Sequence, residues 1–170
     1  MKVMQYPGIS NQLAKMVASG PKLRYQLDEE GIDEERIWKK IEEVDRQNTS
    51  KLKKIVDEIG LPTIDKVGEE GSQNAWVLVQ HAGQNELEFM KKYARMMEES
   101  MDQIVPRNYA YLIDRIRMME DKPQIYGTQF IVKDGKTTPY DIGDIENVDK
   151  RRAKVGLDSF EEGKKEIGAE

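Results

Sequence analysis

Cysteine is absent from this chain of 170 residues, and histidine occurs once, as His81. The first absence excludes disulfides, thiolate nucleophiles and cysteine metal sites. The second excludes a histidine-rich metal centre, and the spacing of the carboxylates gives no positive sign of a mixed one. No uninterrupted apolar run approaches the ~18 residues of a membrane span. The opening MKVMQYPGIS has one lysine and no apolar stretch, unlike a signal peptide. Positive charge is the minority sign, 27 Lys and Arg against 32 Asp and Glu, and the net −5 argues against general nucleic-acid affinity. The basic run Arg151-Arg152-Ala153-Lys154 is short and lacks interleaved aromatics. G-x-S-x-G, P-loop, Rossmann and H-E-x-x-H patterns are all missing. These absences lead to an expectation of a cytoplasmic, soluble protein with no cofactor, no metal, and neither nucleic acid nor membrane as partner.

What is present is helical periodicity. The stretch GSQNAWVLVQHA, residues 71–82, reads as a helix with almost no polar face. At about 100° per residue, Trp76, Val77, Leu78 and Val79 point in every direction, so the helix belongs inside a core. Gln80 and His81 are carried in with it, and each then needs polar partners. The expected fold is mainly α: a single-domain helical bundle, 1–170, around a buried central helix (about 73–83), with one β-hairpin (about 124–141) packed on it.

The rest of the chain is read around that helix. Ser10 is the expected cap of a short helix to residue 19, and Pro21 opens another through Leu27. Asp33 caps the longest helix, 34–59, ended by Gly60 and Pro62. Its stripe of Ile37, Ile41, Val44, Leu52, Ile55 and Ile59 spans roughly −20° to 60° on the helical wheel. Asn48 falls inside that stripe and Asp45 on its edge, so both are expected to face the interior. Asn85, with Glu88 as partner in a capping box, is expected to start the helix whose buried side is Phe89, Met90, Tyr93, Met96 and Met97. Pro106 opens a helix to about Glu120 with Tyr109, Leu112, Ile113, Ile116 and Met119 on one face. Asp114 lies off that face and reads as an exposed partner of Arg117; Arg115 lies at its edge. The period then shifts to that of strands in QIYGTQFIVKDGKTTPY, with Asp134-Gly135 as a type I′ turn and Gly127 marking a bulge or close backbone approach. Asn147 caps a short basic helix, and Asp158 or Ser159 starts the last.

Several strings together resemble a bacterial family of uncharacterised proteins, domain of unknown function 6624. They are WVLVQHA, YLIDRIRMMEDKPQIYGTQF and NVDKRRAKVGL, with the D-x-x-N-x-x-x-L-K-x-I pattern around Asp45 and Asn48 before them. The resemblance spans roughly residues 33–160. The helical segment 1–30 matches weakly, Gly20-Pro21 standing where an acidic residue and helix are expected. The resemblance implies that Gln80, His81, Asp114, Arg115, Gln124, Tyr126, Gln129, Arg151 and Arg152 belong to family motifs. It brings no reaction with it.

Two functions follow from the chemistry. In the first, His81 transfers protons near neutral pH with Asp45 or Asp114 fixing its tautomer. Gln80, Asn48, Tyr126 and Gln129 orient a small anionic or amide-containing ligand, and Arg115 or Arg151 holds an anionic group. The expected meeting place is between the buried helix and the hairpin. In the second, the chain is a non-enzymatic interaction protein of adaptor or immunity type with a protein partner. The polar set is then a structural hydrogen-bond network.

Overall fold

The computed structural model describes residues 3–18, 20–28, 31–133 and 135–169. They form eight α-helices, four short 3-10 turns and one two-stranded antiparallel hairpin, so the mainly α expectation holds. No described helix is long and apolar enough to cross a membrane. The chain clusters into two compact units, Met1–Ile104 and Val105–Glu170.

The first unit holds five helices: α1 (Pro7–Val17), α2 (Gly20–Tyr25), α3 (Glu34–Ile59), α4 (Ile64–Gln80) and α5 (Leu87–Glu98). Pro7, not Ser10, starts α1, because its fixed φ suits the first helical turn. Ser10 instead lies where α1 crosses α4: a Cβ on Gly71 would come within 2.8 Å of its Oγ. The α3 boundaries are as expected, with Asp33 Oδ1 accepting from the Arg36 N–H at 3.1 Å. Gly60 leaves the helix at φ 72°, and Lys66 Nζ reaches back to donate to the final carbonyls of Ile59 (2.5 Å) and Leu61 (3.2 Å).

The central helix starts earlier than its apolar pattern suggests. Ile64–Val67 is already helical, and Gly68 breaks the run at φ 75°, ψ 168°. Burial is also less uniform. Ala75, Leu78 and Val79 are buried, whereas Trp76 and Val77 are partly exposed. The 3-10 turn Gln84–Glu86 precedes α5, and neither Asn85 nor Glu86 caps it with a side chain, so the expected capping box is not formed. Phe89, Met90, Tyr93 and Met97 are buried as expected; Met96 is half-buried.

The second unit contains α6 (Pro106–Met119), strands β1 (Phe130–Lys133) and β2 (Lys136–Pro139), and helices α7 (Val148–Lys154) and α8 (Phe160–Glu166). The hairpin register pairs Phe130 with Pro139 and Lys133 with Lys136. Gly135 has φ 76°, which suits the two-residue turn, while Asp134 lies outside the described residues. Residues 124–129, expected as strand, are a loop. Only Gln124 touches strand-like pairing, through an isolated bridge to Ile142. Asn147 stands before α7 without a capping side-chain bond, and Ser159 forms a full capping box with Glu162 at the start of α8.

Candidate functional site

A cavity of about 290 Å3 lies within the first unit, at the meeting of α1 to α4. Apolar side chains dominate its wall: Met16 and Val17 from α1, Pro21 and Tyr25 from α2, Val77 and Leu78 from α4. Four polar side chains join them, Arg24, Asp45, Asn48 and His81. Three of these were expected from the sequence as site residues.

Each is placed for a local reason. Asn48 and Asp45 sit one turn apart on α3, on the side that carries Ile41 and Leu52. Asn48 is buried, and its Nδ2 donates to the Met16 carbonyl at 3.1 Å, tying α3 to the end of α1. Asp45 is largely buried, and its Oδ2 accepts from Arg24 Nη2 at 2.7 Å. Burial pushes the Asp45 carboxyl above its ordinary value, and the neighbouring Arg24 charge and hydrogen bond only partly oppose this. His81 follows the last helical residue of α4, its backbone N–H bonded to the Leu78 carbonyl at 3.2 Å. It is half-buried rather than enclosed.

Arg24 was not among the expected site residues. It comes from the α1–α2 segment, where a single arginine beside a Gly-Pro break carries no signal of its own. Gly20 lies against the arginine tip. A Cβ there would come within 2.9 Å of Arg24 Nη1, and the guanidinium tip would have to shift.

A second, more polar cavity of about 470 Å3 adjoins the first. Asp45 and His81 line both. The remaining wall includes Glu42, Arg46, Thr49, Gln84, Asn85 and Glu86. Arg46 is held by Glu43 in a double contact of 2.6 and 2.8 Å, and Glu86 pairs with Lys53. Among the described residues no three histidine, aspartate or glutamate side chains gather as a metal site requires.

Gln80 and His81 belong to the first unit; Asp114, Arg115, Tyr126, Gln129 and Arg151 belong to the second. Gln80 is buried, and its Nε2 has no hydrogen-bond partner among the described residues. Arg115 is half-buried on α6 beside Asp114.

Asp114 requires a correction. Rather than an exposed partner of Arg117, it is fully buried. It accepts from the backbone N–H groups of Ile125 (2.7 Å), Tyr126 (3.1 Å) and Thr128 (3.0 Å), and from Thr128 Oγ1 at 3.0 Å. Arg117 Nε instead donates to the Pro123 carbonyl at 2.6 Å. Burial raises the Asp114 pKa, and the four donors act against that rise. The wheel placed Asp114 away from the apolar stripe correctly in angle; it could not show that a folded loop covers that side.

The same loop is bound from its other side. Gln124, fully buried, donates through Nε2 to the carbonyls of Gln129 (2.9 Å) and Tyr140 (2.8 Å), and accepts from the Gln129 N–H at 2.8 Å. Arg151 Nε donates to the Ile125 carbonyl at 2.7 Å, and Arg152 Nη1 to that of Tyr126 at 2.8 Å. Asp114, Gln124, Arg151 and Arg152 therefore all bond to the backbone of residues 124–129.

No curated protein and no solved structure matches the chain. The run of motifs from D-x-x-N to V-D-x-R-R does have a counterpart: a protein-family model matches residues 7–167, including the α1–α2 segment that carries Arg24. The chain belongs to the family of unknown function DUF6624.

Proposed function

We propose that the first unit binds a small anionic or amide-containing ligand in the cavity beside His81, with His81 and Asp45 as an acid-base pair. One observation carries this reading: Asp45 and Asn48, from the stripe of one helix, and His81, from the end of another, line one cavity with Arg24. An apolar hollow with a few convergent polar groups is the usual form of a small-molecule site, and about 290 Å3 is near the lower end of its size range.

The roles follow from the chemistry. An imidazole exchanges protons near neutral pH. A carboxyl whose pKa is raised by burial holds its proton closer to that range than an exposed aspartate does. Arg24 supplies fixed positive charge; an incoming carboxylate would share the guanidinium with Asp45. Asn48 offers its amide to a ligand carbonyl or N–H beyond the one bond it makes to Met16.

A second reading, an interaction protein without catalysis, draws support from the second unit. There Asp114, Gln124, Arg151 and Arg152 bond to backbone groups of one loop. The two readings separate in a thermal-shift assay with hexanoate and hexanamide as probes. Under the first, either probe raises the Tm of the wild type and does less for His81→Ala and Asp45→Asn, both shown folded by circular dichroism. If no probe shifts the wild type, or if the variants respond equally, the cavity is not a ligand site and the second reading stands.

A further inference from the structure

Asp45 and His81 line two hollows, the second of which carries more charged and amide groups on its wall. On one side lies the apolar cavity of about 290 Å3. On the other lies a more polar basin of about 470 Å3, whose wall includes the carboxylates of Glu42 and Glu86 and the amides of Gln84 and Asn85. Its cation, Arg46, is already engaged by Glu43. We infer that the ligand is bipartite: an apolar group in the first cavity, an uncharged or cationic hydrogen-bonding head in the basin, and an amide link between them at Asp45 and His81.

This inference rests on the proposed ligand site and narrows it. Size sets the apolar part. An apolar cavity of ~150 Å3 holds a benzene ring. The first cavity, at about 290 Å3, is close to twice that, room for a bicyclic ring or a medium acyl chain. Asp45 and Asn48 would stand at the amide, an acceptor and an amide group against its N–H and carbonyl.

Charge sets the head. Glu42 forms no ion pair among the described residues, and Glu86 is shared with Lys53 alone. A carboxylate head would meet this acidic wall at a cost, whereas an ammonium or neutral amide head would not. Of the two ligand types considered for the site, the basin therefore selects the amide-containing one and disfavours a free anion at that end.

Four compounds test this, with binding measured by calorimetric titration at low salt, where exposed charges are least screened. N-(2-aminoethyl)hexanamide carries both parts. N-(2-aminoethyl)acetamide lacks the apolar chain, hexanamide lacks the head, and N-hexanoylglycine carries a carboxylate head. The bipartite compound is expected to bind at least about tenfold tighter than the acetamide, which loses four buried methylenes. It is expected to bind several-fold tighter than hexanamide and than hexanoylglycine. Glu42→Lys should reduce or reverse the preference for the amine over the carboxylate without changing the affinity of hexanamide.

Equal binding of hexanamide and the two headed compounds would overturn the bipartite inference while leaving the first cavity as a site. The acidic-wall argument, and the bipartite ligand with it, also fails if Glu42→Lys, folded as judged by circular dichroism, leaves the amine preference intact. If none of the four binds, the inference falls together with the reading it rests on.

Discussion

Arg24 Nη2 stands 2.7 Å from Asp45 Oδ2, joining a short helix near the N-terminus to the longest helix of the first unit. The side chains are 29% and 18% exposed, so this is neither a free surface pair nor a fully buried one. Its contribution should lie between the two limits. Exposed pairs contribute ~0–1 kcal/mol, and breaking a buried pair by removing one partner costs ~3–5 kcal/mol. Arg24→Met is expected to cost about 1–2 kcal/mol in urea denaturation, mainly by leaving Asp45 without its cation. A double-mutant cycle with Asp45→Asn should return a coupling of about 1 kcal/mol. Strict additivity would show that the two side chains do not stabilise one another.

The same aspartate predicts a pH dependence. Burial raises its folded-state pKa above the ordinary 3.8, despite the neighbouring Arg24. The folded state therefore holds this proton more tightly than the unfolded chain. Stability from that source is fully present below the unfolded value and is lost as pH rises through the folded one. Asp45→Asn removes the titration. Across that window wild type should lose stability relative to the variant as pH increases. Parallel stability curves for the two proteins would mean that Asp45 titrates alike in both states.

Asp114 makes a sharper case. Its two oxygens accept from three backbone N–H groups and one hydroxyl. Asn at this position keeps one acceptor oxygen and turns an NH2 toward N–H donors, leaving buried groups unpaired. The expected cost of Asp114→Asn is about 2–4 kcal/mol by chemical denaturation. Hydrogen exchange should locate the damage. The amides of Ile125, Tyr126 and Thr128 should lose protection first, well before those of α6. Uniform loss across the unit would show that the loop has no separate stability.

How much of this was legible follows from what each part rests on. The α3 boundaries came from an aspartate cap, an apolar stripe and a Gly-x-Pro end, all local signals, and the helix spans Glu34–Ile59 as expected. Asn48 was found because an amide interrupts that stripe, and it is buried. The strand reading of residues 124–129 failed for the opposite reason. Alternating β-branched and aromatic residues suit a strand, but Asp114, Gln124, Arg151 and Arg152 take the backbone groups that a ladder would use. Those bonds span 5 to 26 residues, and the longest lie beyond any local window. Arg24 was invisible because its partner is 21 positions away, on another helix.

Gly127 gives the last test. The sequence marked it as a bulge or a point of close approach, and the structure shows close approach. Its φ is 66°, the left-handed region that costs an L-residue roughly 1–2 kcal/mol. A Cβ there would also lie 2.9 Å from two ring atoms of Phe160 and 3.0 Å from Ile142 Cδ1. Phe160 is itself buried, with the Arg152 guanidinium 5.9 Å from its ring centre, so the ring cannot move aside freely. Overpacking of this kind adds ~1–3 kcal/mol. Gly127→Ala should therefore cost about 2–4 kcal/mol in all. The two causes separate in a Phe160→Ala background, where the clash with the ring is gone and the backbone strain remains. There Gly127→Ala should cost only about 1–2 kcal/mol. If its cost is the same in both backgrounds, the Phe160 ring does not constrain position 127. A cost below about 1 kcal/mol in the wild type would mean that the loop relaxes out of its left-handed conformation, against the bonds that Asp114 and Arg152 make on either side of it.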